Sequence, residues 1–193
     1  ATLLRGEGDK LLMAARYQLT VNDLSGAYET LNRALVTDAD DTALLEMIID
    51  VEARLGRFDD ALLRTQQLRE RYPESALGER LRGDHFVRQQ RYGEAALAYR
   101  DGLKKQVGGE LLVRQYLARR KSGIEFPDLE PLQDWVAKNP KDQVSRMALA
   151  AAYLDAENIP AARTLYEALN RENPNDPVVL NNLAGIYLNA GDE

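Results

Sequence analysis

The stretch LGRFDDALLRTQQLRERYP, residues 55–73, decides the fold because a similar phrase, NIPAARTLYEALNRENP, recurs and ends at Pro174. Ala27, Ala61 and Ala95 lie 34 residues apart, and Ala162 follows 67 residues later, which is two such periods less one residue. Mostly apolar residues recur four and seven positions after each alanine. That spacing is typical of one face of an α-helix.

A second apolar stripe precedes each alanine phrase, as in Leu45, Ile48 and Ile49. Turn residues such as Asn22 and Gly56 separate the two stripes. The prolines at 73, 140 and 174 end the second stripe, since proline cannot donate the helical hydrogen bond. Each unit is therefore predicted to be a helix, a tight turn and a second helix, and the alanine lets the helices approach closely.

The chain resembles the tetratricopeptide repeat (TPR) family, whose period is about 34 residues with two helices per repeat. The last full unit carries the motif as Ala150, Tyr153, Ala162, Tyr166 and Pro174, with Glu157 at the position of the turn glycine. The resemblance implies an all-α, right-handed α-solenoid superhelix with a concave inner surface. We expect a single array of about five and a half units at 8–41, 42–75, 76–109, 110–142 and 143–176, with a half unit at 177–193.

The fourth unit departs most from the pattern. It has Gly123 as its turn but no clear alanine column, and Pro127 and Pro131 predict a short second helix that starts late.

Both ends of the sequence suggest a fragment of a longer protein. ATLLRGEG, residues 1–8, is interpreted as the remnant of an earlier unit, and NNLAGIYLNAGDE is one helix of a repeat whose second helix would follow. We therefore expect Leu183, Ile186 and Tyr187 to present apolar surface.

Composition excludes several classes of protein. With 45% hydrophobic and 29% charged residues the chain is too apolar for disorder, and its apolar runs are too short for a membrane span. The absence of cysteine fits either redox compartment. A net charge of −6 argues against nucleic acid as a partner.

No pattern of catalytic or ligating residues stands out, so we expect neither an enzyme, nor a metal site, nor a cofactor. The single histidine, His85, is predicted on the surface or at a groove edge. The pairs Asp40-Asp41 and Asp59-Asp60 fall at turns and helix starts, where carboxylates complement the helix dipole.

In the TPR family, partners are met mainly by fixed positions of each unit's first helix. Carried over residue by residue, the resemblance implies a polar concave face that contacts a partner through Arg54, Arg80, Asp84, Arg88, Arg114, Lys121, Asn181 and Asn182. The same positions also include Arg16, Glu46, Asp50, Gln115, Asp155 and Asn189. Only Asn182 matches the carboxylate clamp of chaperone-binding members, which disfavours capture of a chaperone tail.

Charge along the sequence is uneven. Residues 64–121 contain 14 Lys/Arg against 7 Asp/Glu, whereas the segments on either side have net charges of −6 and −7. One interpretation is an ordinary solvated helical surface, and the other is a basic belt that attracts an acidic protein segment or an anionic glycan. On the second interpretation Arg69 and Lys105, on second helices, are expected to face away from the groove.

The run from Asp128 to Leu188 is similar to bacterial TPR lipoproteins of exosortase and exopolysaccharide systems. That resemblance implies a periplasmic or outer-membrane-associated scaffold in exopolysaccharide export, with a cytoplasmic location as the alternative. The rival hypothesis is direct binding of an anionic polysaccharide by the basic central repeats. Trp135, the single tryptophan, is expected in the core or between repeats and not as a platform for sugars.

Overall fold

A computed structural model describes residues 2–123 and 128–190, and within them it contains eleven α-helices and no strand. The helices are α1 (Thr2–Thr20), α2 (Leu24–Thr37), α3 (Thr42–Arg54), α4 (Phe58–Arg71), α5 (Leu77–Arg88), α6 (Tyr92–Lys105), α7 (Gly109–Lys121), α8 (Glu130–Lys138), α9 (Gln143–Asp155), α10 (Ile159–Glu172) and α11 (Pro177–Ala190). The predicted all-α class is confirmed.

The chain forms two compact structural units, each larger than one repeat. From here on, the first unit is residues 1–105 with α1 to α6, and the second unit is residues 106–193 with α7 to α11. Inside each unit, successive helices pack as hairpins, and each hairpin packs on the next one along the chain. The arrangement of all repeats as one array stays a prediction.

The four alanines of the repeated phrase lie where the two helices of a hairpin meet. Ala27, Ala61, Ala95 and Ala162 are all fully or almost fully buried, at 0–1% exposed. Their equivalents four residues on, among them Leu31 and Tyr166, are buried as well. The predicted helix face is therefore the packed face, and a methyl group is what the gap at each alanine holds.

The turn between first and second helices depends on a residue in the left-handed conformation. These residues recur at intervals of 33 or 34, with φ between 55° and 81°: Asn22, Gly56, Gln90, Gly123 and Glu157. At four of the turns the next residue donates its N–H to a carbonyl five positions back, for example Arg91 to Phe86 at 2.9 Å. This is the Schellman-type ending of a helix, in which glycine is the usual left-handed residue.

Side-chain sizes compensate across the two helices of a hairpin. Gly83 on α5 leaves room for the buried ring of Tyr99 on α6, and an added Cβ at 83 would overlap that ring, at 2.7 Å from Cζ. In the last hairpin the equivalent pair is Ala150 and Tyr166, which share one apolar cluster. A small residue on the first helix thus faces a large one on the second.

Helix α8 is short, as its prolines predict: it has nine residues and Pro131 in its first turn. Pro127 lies outside the described residues. The half-buried Trp135 of α8 donates its indole N–H to Asp142 at 2.7 Å, and Asp142 also caps α9 through Ser145. Burial opposes ionisation of Asp142, but the hydrogen bonds from Trp135 and Ser145 outweigh burial and lower its pKa. Trp135 thus joins α8 to the start of α9.

The expectation about the C-terminal end is wrong, whereas the interpretation of residues 1–8 as the remnant of an earlier unit stays a prediction. Helix α1 begins at Thr2, six residues before the predicted start of the first repeat unit at residue 8. Leu183 and Ile186 are each only 3% exposed, because together with Val179 they pack back onto α9 and α10. Tyr187 is half-buried and donates to Glu167. The exposed apolar residues of α11 lie on its other side, at Val178, Leu180 and Leu188.

We expect Gly83→Ala to destabilise the protein by about 1–3 kcal/mol, because the new methyl group overlaps the Tyr99 ring. Tyr99→Leu alone should also destabilise. In the double variant the two losses should be less than additive, which urea denaturation would measure as a coupling free energy. Fully additive losses would contradict the size compensation.

We also expect Gln90→Gly and Glu157→Gly each to stabilise the protein by roughly 0.5–1 kcal/mol, since glycine adopts a positive φ without steric cost. Gly56→Ala, at an equivalent turn with open space around the Cβ, should destabilise by a similar amount. Thermal denaturation of the three variants measures all of these effects, and a loss of stability in both glycine variants would contradict the assignment of turn strain.

Candidate functional site

Six charged side chains on the first helices of two neighbouring hairpins form two successive clusters of ion pairs, Arg80 with Glu46 and Asp84, and Asp50 with Arg54 and Arg88. We call this set the α3–α5 ladder: Glu46, Asp50, Arg54, Arg80, Asp84 and Arg88. Equivalent residues of α3 and α5 are 34 positions apart in sequence, so the repeat places them on adjacent helices of the first unit. Four of the eight predicted site residues belong to this set.

One end of the ladder has two carboxylates around one arginine. Arg80 pairs with Glu46 on the neighbouring helix at 2.5 Å and with Asp84 on its own helix at 3.4 Å. The Tyr99 hydroxyl donates to Asp84 at 2.7 Å, which ties the ladder to the second helix of the hairpin. The Arg80 side chain is only 18% exposed, so this end is held in place.

The other end has two arginines around one carboxylate. Asp50 pairs with Arg54, at 3.7 Å, and with Arg88 from α5. Arg54 also donates to the Asn22 side chain at 3.0 Å. Because Arg54 and Arg88 are 31% and 40% exposed, a solvent-borne carboxylate can reach both guanidinium groups here. The ladder is thus neutral as a whole but has an anionic end and a cationic end.

The other four predicted residues lie in the second unit and have different surroundings. Arg114 pairs with Glu110 on its own helix at 2.8 Å, and Asn182 donates to the Val178 carbonyl at 2.8 Å. Lys121 and Asn181 are exposed at the surface of α7 and α11. Arg114 and Asn182 thus each have a contact within their own helix.

Sequence reasoning missed a polar cluster between α7 and α9. Asp155 accepts from the Tyr116 hydroxyl at 2.9 Å and from Arg120 at 2.8 Å. Burial, reinforced by the Asp155 hydrogen bond, raises the pKa of Tyr116 to about 12, so this phenol stays protonated. Tyr116 and Arg120 precede Asp155 in the sequence by 39 and 35 residues. A search for complementary polar residues one repeat apart, or one repeat and one helical turn apart, would have found them.

The excess of cations in residues 64–121 does not produce an equally basic surface. Among the described residues, at least twelve of the fourteen cations pair with carboxylates, and five of these cations pair with acids from outside the segment. The five external acids are Asp40, Glu46, Asp50, Glu52 and Asp155. The local charge count in sequence therefore overstates the positive field of this region.

Arg69 and Lys105 do not face outward as expected. Both pair with the carboxylate of Glu79, which is 3% exposed, at 2.8 and 3.2 Å, and Arg82 binds its other oxygen at 3.1 Å. A buried carboxylate needs such partners, because its desolvation costs several kcal/mol. These cations therefore hold α4, α5 and α6 together.

The expectation of a surface position for His85 is also wrong. The side chain is 4% exposed and its ring meets Phe58 and Phe86 edge-on. The neighbouring Asp84 is engaged in the ladder and gives the ring no acid–base partner. Capping by Asp41 is confirmed, since its carboxylate accepts from the N–H groups of Ala43 and Leu44.

Within residues 2–123 and 128–190, no three His, Cys, Asp or Glu side chains are grouped so that they could hold a metal ion. None of the helices described is both long enough and apolar enough to cross a membrane. The ladder can form ion pairs and hydrogen bonds with a ligand, and it combines donors and acceptors within one short stretch of surface.

Comparison with known proteins identifies a family. The family model described as tetratricopeptide repeat matches residues 46–107 and 147–193, which is more than half of the chain. None of the curated protein sequences matches significantly.

Several solved structures share the fold. A tetratricopeptide repeat protein from Parabacteroides merdae is 17% identical, with a TM-score of 0.69 over 97% of this chain and 75% of that one. A thermophilic TPR protein of Thermus thermophilus is 19% identical, with a TM-score of 0.69 over 94% and 99%. YrrB, a TPR protein with an unusual peptide-binding site, is 17% identical, with a TM-score of 0.64 over 86% and 87%. At these identities the likeness shows the fold, a solenoid of helix-turn-helix units.

We expect Glu79→Ala to destabilise the first unit by about 3–5 kcal/mol, because it leaves three cations facing each other around a buried gap. Glu94→Ala on α6, whose carboxylate is exposed and pairs with Arg91, should change the unfolding midpoint little. Urea denaturation of both variants tests this contrast, and equal effects would mean that burial of Glu79 does not matter.

Proposed function

Because the chain belongs to the tetratricopeptide repeat family, we propose that it is a non-catalytic scaffold that binds another protein or a peptide segment along its first helices. The observation that carries this proposal is the α3–α5 ladder, which places exposed donors and acceptors side by side on two adjacent first helices. YrrB, a TPR protein of similar fold with an unusual peptide-binding site, supports a peptide as the ligand class.

The polarity of the ladder gives the ligand a direction. At the cationic end, Arg54 and Arg88 share the single carboxylate of Asp50, and a carboxylate of the partner fits between their guanidinium groups. At the anionic end, Glu46 and Asp84 flank Arg80 and suit a backbone N–H or a basic side chain. We therefore propose an acidic anchor in the partner, held at the Arg54 and Arg88 end.

The ion pairs at the cationic end are suited to exchange. Pairs between exposed side chains contribute only about 0–1 kcal/mol, so a partner carboxylate replaces Asp50 at little cost. The more buried Arg80 keeps its own pairs and fixes the spacing of the two helices. We propose that the more exposed end recognises the partner and that the more buried end stabilises the helix pair.

A scaffold role also agrees with the positions of the histidine and the buried carboxylates, the types of side chain that catalysts often use. The single histidine is buried among aromatic rings. Carboxylates such as Glu52 and Glu79 are buried in ion pairs that join helices. We propose on this basis that the chain is not an enzyme.

The finer proposal is a role in bacterial exopolysaccharide export or cell-envelope assembly, in the periplasm or at the outer membrane. It rests on the similarity of residues 128–188 to lipoproteins of exosortase systems. Direct binding of an anionic polysaccharide is the second candidate, and the cationic end of the ladder is the feature in its favour. The half-buried Trp135, engaged with Asp142, does not favour a stacked sugar.

An array of synthetic peptides, in which each acidic sequence is matched by its amide and basic counterparts, tests the proposal. We expect the protein to retain acidic peptides, with affinity that falls as salt rises, since part of the attraction is screened. Arg88→Glu should lower the affinity at least about tenfold through charge reversal at the anchor. Fluorescence anisotropy of the best labelled peptide gives the dissociation constant.

Arg100→Glu is the matched control, because Arg100 is 54% exposed on the second helix α6 and the change in net charge is identical. An equal loss in this variant would show that only net charge matters. Retention of anionic polysaccharides on a parallel glycan array, with no peptide retained, would favour the second candidate and contradict the first.

A further inference from the structure

The only histidine of the chain is enclosed where α4, α5 and the following turn meet. The ring centroid of His85 lies 5.8 Å from that of Phe58, the first residue of α4, and 6.0 Å from that of Phe86, and both contacts are edge-on. The side chain is 4% exposed. A neutral imidazole suits this apolar site, whereas a charged one loses its hydration there.

The hydrogen bonds around His85 fix its tautomer. Gln89 accepts from Arg91 through Oε1 at 2.9 Å, so its amide NH₂ group faces the ring and lies 2.9 Å from Nε2. Nε2 must therefore accept, and the proton of the neutral ring is on Nδ1. Nδ1 is buried and has no hydrogen-bond partner in the part of the chain described. Protonation would break the Gln89 bond and leave two N–H groups without acceptors.

The surrounding charges also oppose a second proton. The charges of Arg91 in the turn and Arg88 on α5 destabilise a protonated His85 ring, whereas the carboxylate of Asp59 on α4 stabilises it. Arg91 is itself paired with Glu94 of α6 and lies over the Phe86 ring. Burial first, and Arg91 next, lower the pKa of His85 below its usual value of 6.5.

The backbone beside the histidine is already strained. Gln90 has φ of 59°, and the turn is closed by the bond from the Arg91 N–H to the Phe86 carbonyl. A non-glycine residue at positive φ is under strain that only its surroundings maintain. Gln89, whose amide contacts the His85 ring, directly precedes Gln90, so loss of that contact acts on this turn.

We propose that His85 is an acid-sensitive latch: neutral, it holds the end of α5 and the following turn against α4, and when protonated it leaves the Phe58–Phe86 site and opens the turn. Asp84 and Arg88, on either side of it, belong to the α3–α5 ladder, so acid would also loosen the cationic end of the ladder. That consequence for binding rests on the proposed function, whereas the latch itself does not.

The direction of the pH effect follows from the two protonation states. Above about pH 6.5 the ring is neutral in both folded and unfolded chains, and its contribution to stability is fully present. As the pH falls, the unfolded chain takes up the proton first, so stability declines until the lowered folded-state pKa has been passed. Asp142 and Glu94, whose pKa values lie below their usual range, add their own losses only at lower pH.

The test compares the intact chain with His85→Gln and His85→Leu at about pH 7 and about pH 5.5. We expect the urea midpoint of the wild type to fall at the lower pH and those of both variants to stay nearly constant. At about pH 5.5, the amides of the α5–α6 turn should exchange faster in the wild type than in the variants, whereas at about pH 7 they should not. An unchanged wild-type midpoint, or equal declines in all three proteins, would overturn the latch.

A second measurement keeps the test decisive if the His85 variants fold poorly. Because there is one histidine, its imidazole gives a single NMR titration, which should lie below pH 6.5. Arg91→Gln should move this titration upward, since it removes a nearby cation and frees the Gln89 amide. Arg100→Gln, with the same change in net charge on α6, should leave it unchanged. A titration at or above pH 6.5, or equal shifts in both variants, would overturn the proposal.

Discussion

The close approach of the two helices in each hairpin is the constraint on which the rest of the structure depends. Alanine at the contact, buried in all four repeated phrases, permits that approach. At four of the five turns a left-handed residue then lets the chain reverse within three residues, which keeps the second helix beside the first. With the backbones this close, a larger side chain on one helix requires a smaller one opposite, as Gly83 and Tyr99 show.

Charges obey the same repeat geometry as the apolar core. A residue and its equivalent one repeat later lie on adjacent helices, so opposite charges at a separation near 34 become neighbours in space, as Glu46 and Arg80 do. Buried acids extend the principle: Glu52 receives Arg64 through two nitrogens, and Glu79 receives three cations. The acidic chain therefore neutralises most of the cations of its central segment internally.

The helices, turns and alanine contacts could be predicted from the sequence because each depends on local packing that recurs with the repeat. The ladder positions followed from family resemblance, but their partners did not, since a side chain's partner depends on rotamers and on the adjacent hairpin. His85 was misplaced because its burial depends on Phe58, 27 residues away. The prediction for Leu183 and Ile186 was wrong because α11 has two apolar faces. Packing against α9 and α10, and not the local sequence, decides which face is buried.

The ion pairs of the first unit divide by exposure into two kinds with different uses. Breaking a buried pair such as Glu52–Arg64 strands a charge away from water, so these pairs resist any competitor and hold neighbouring helices in place. In the pairs of Asp50 with Arg54 and Arg88, both side chains of each pair are partly exposed. Water or a ligand therefore replaces either partner at little cost in free energy. A scaffold needs both kinds on the same helices, because exchangeable groups recognise a partner selectively only when rigid neighbours fix their spacing.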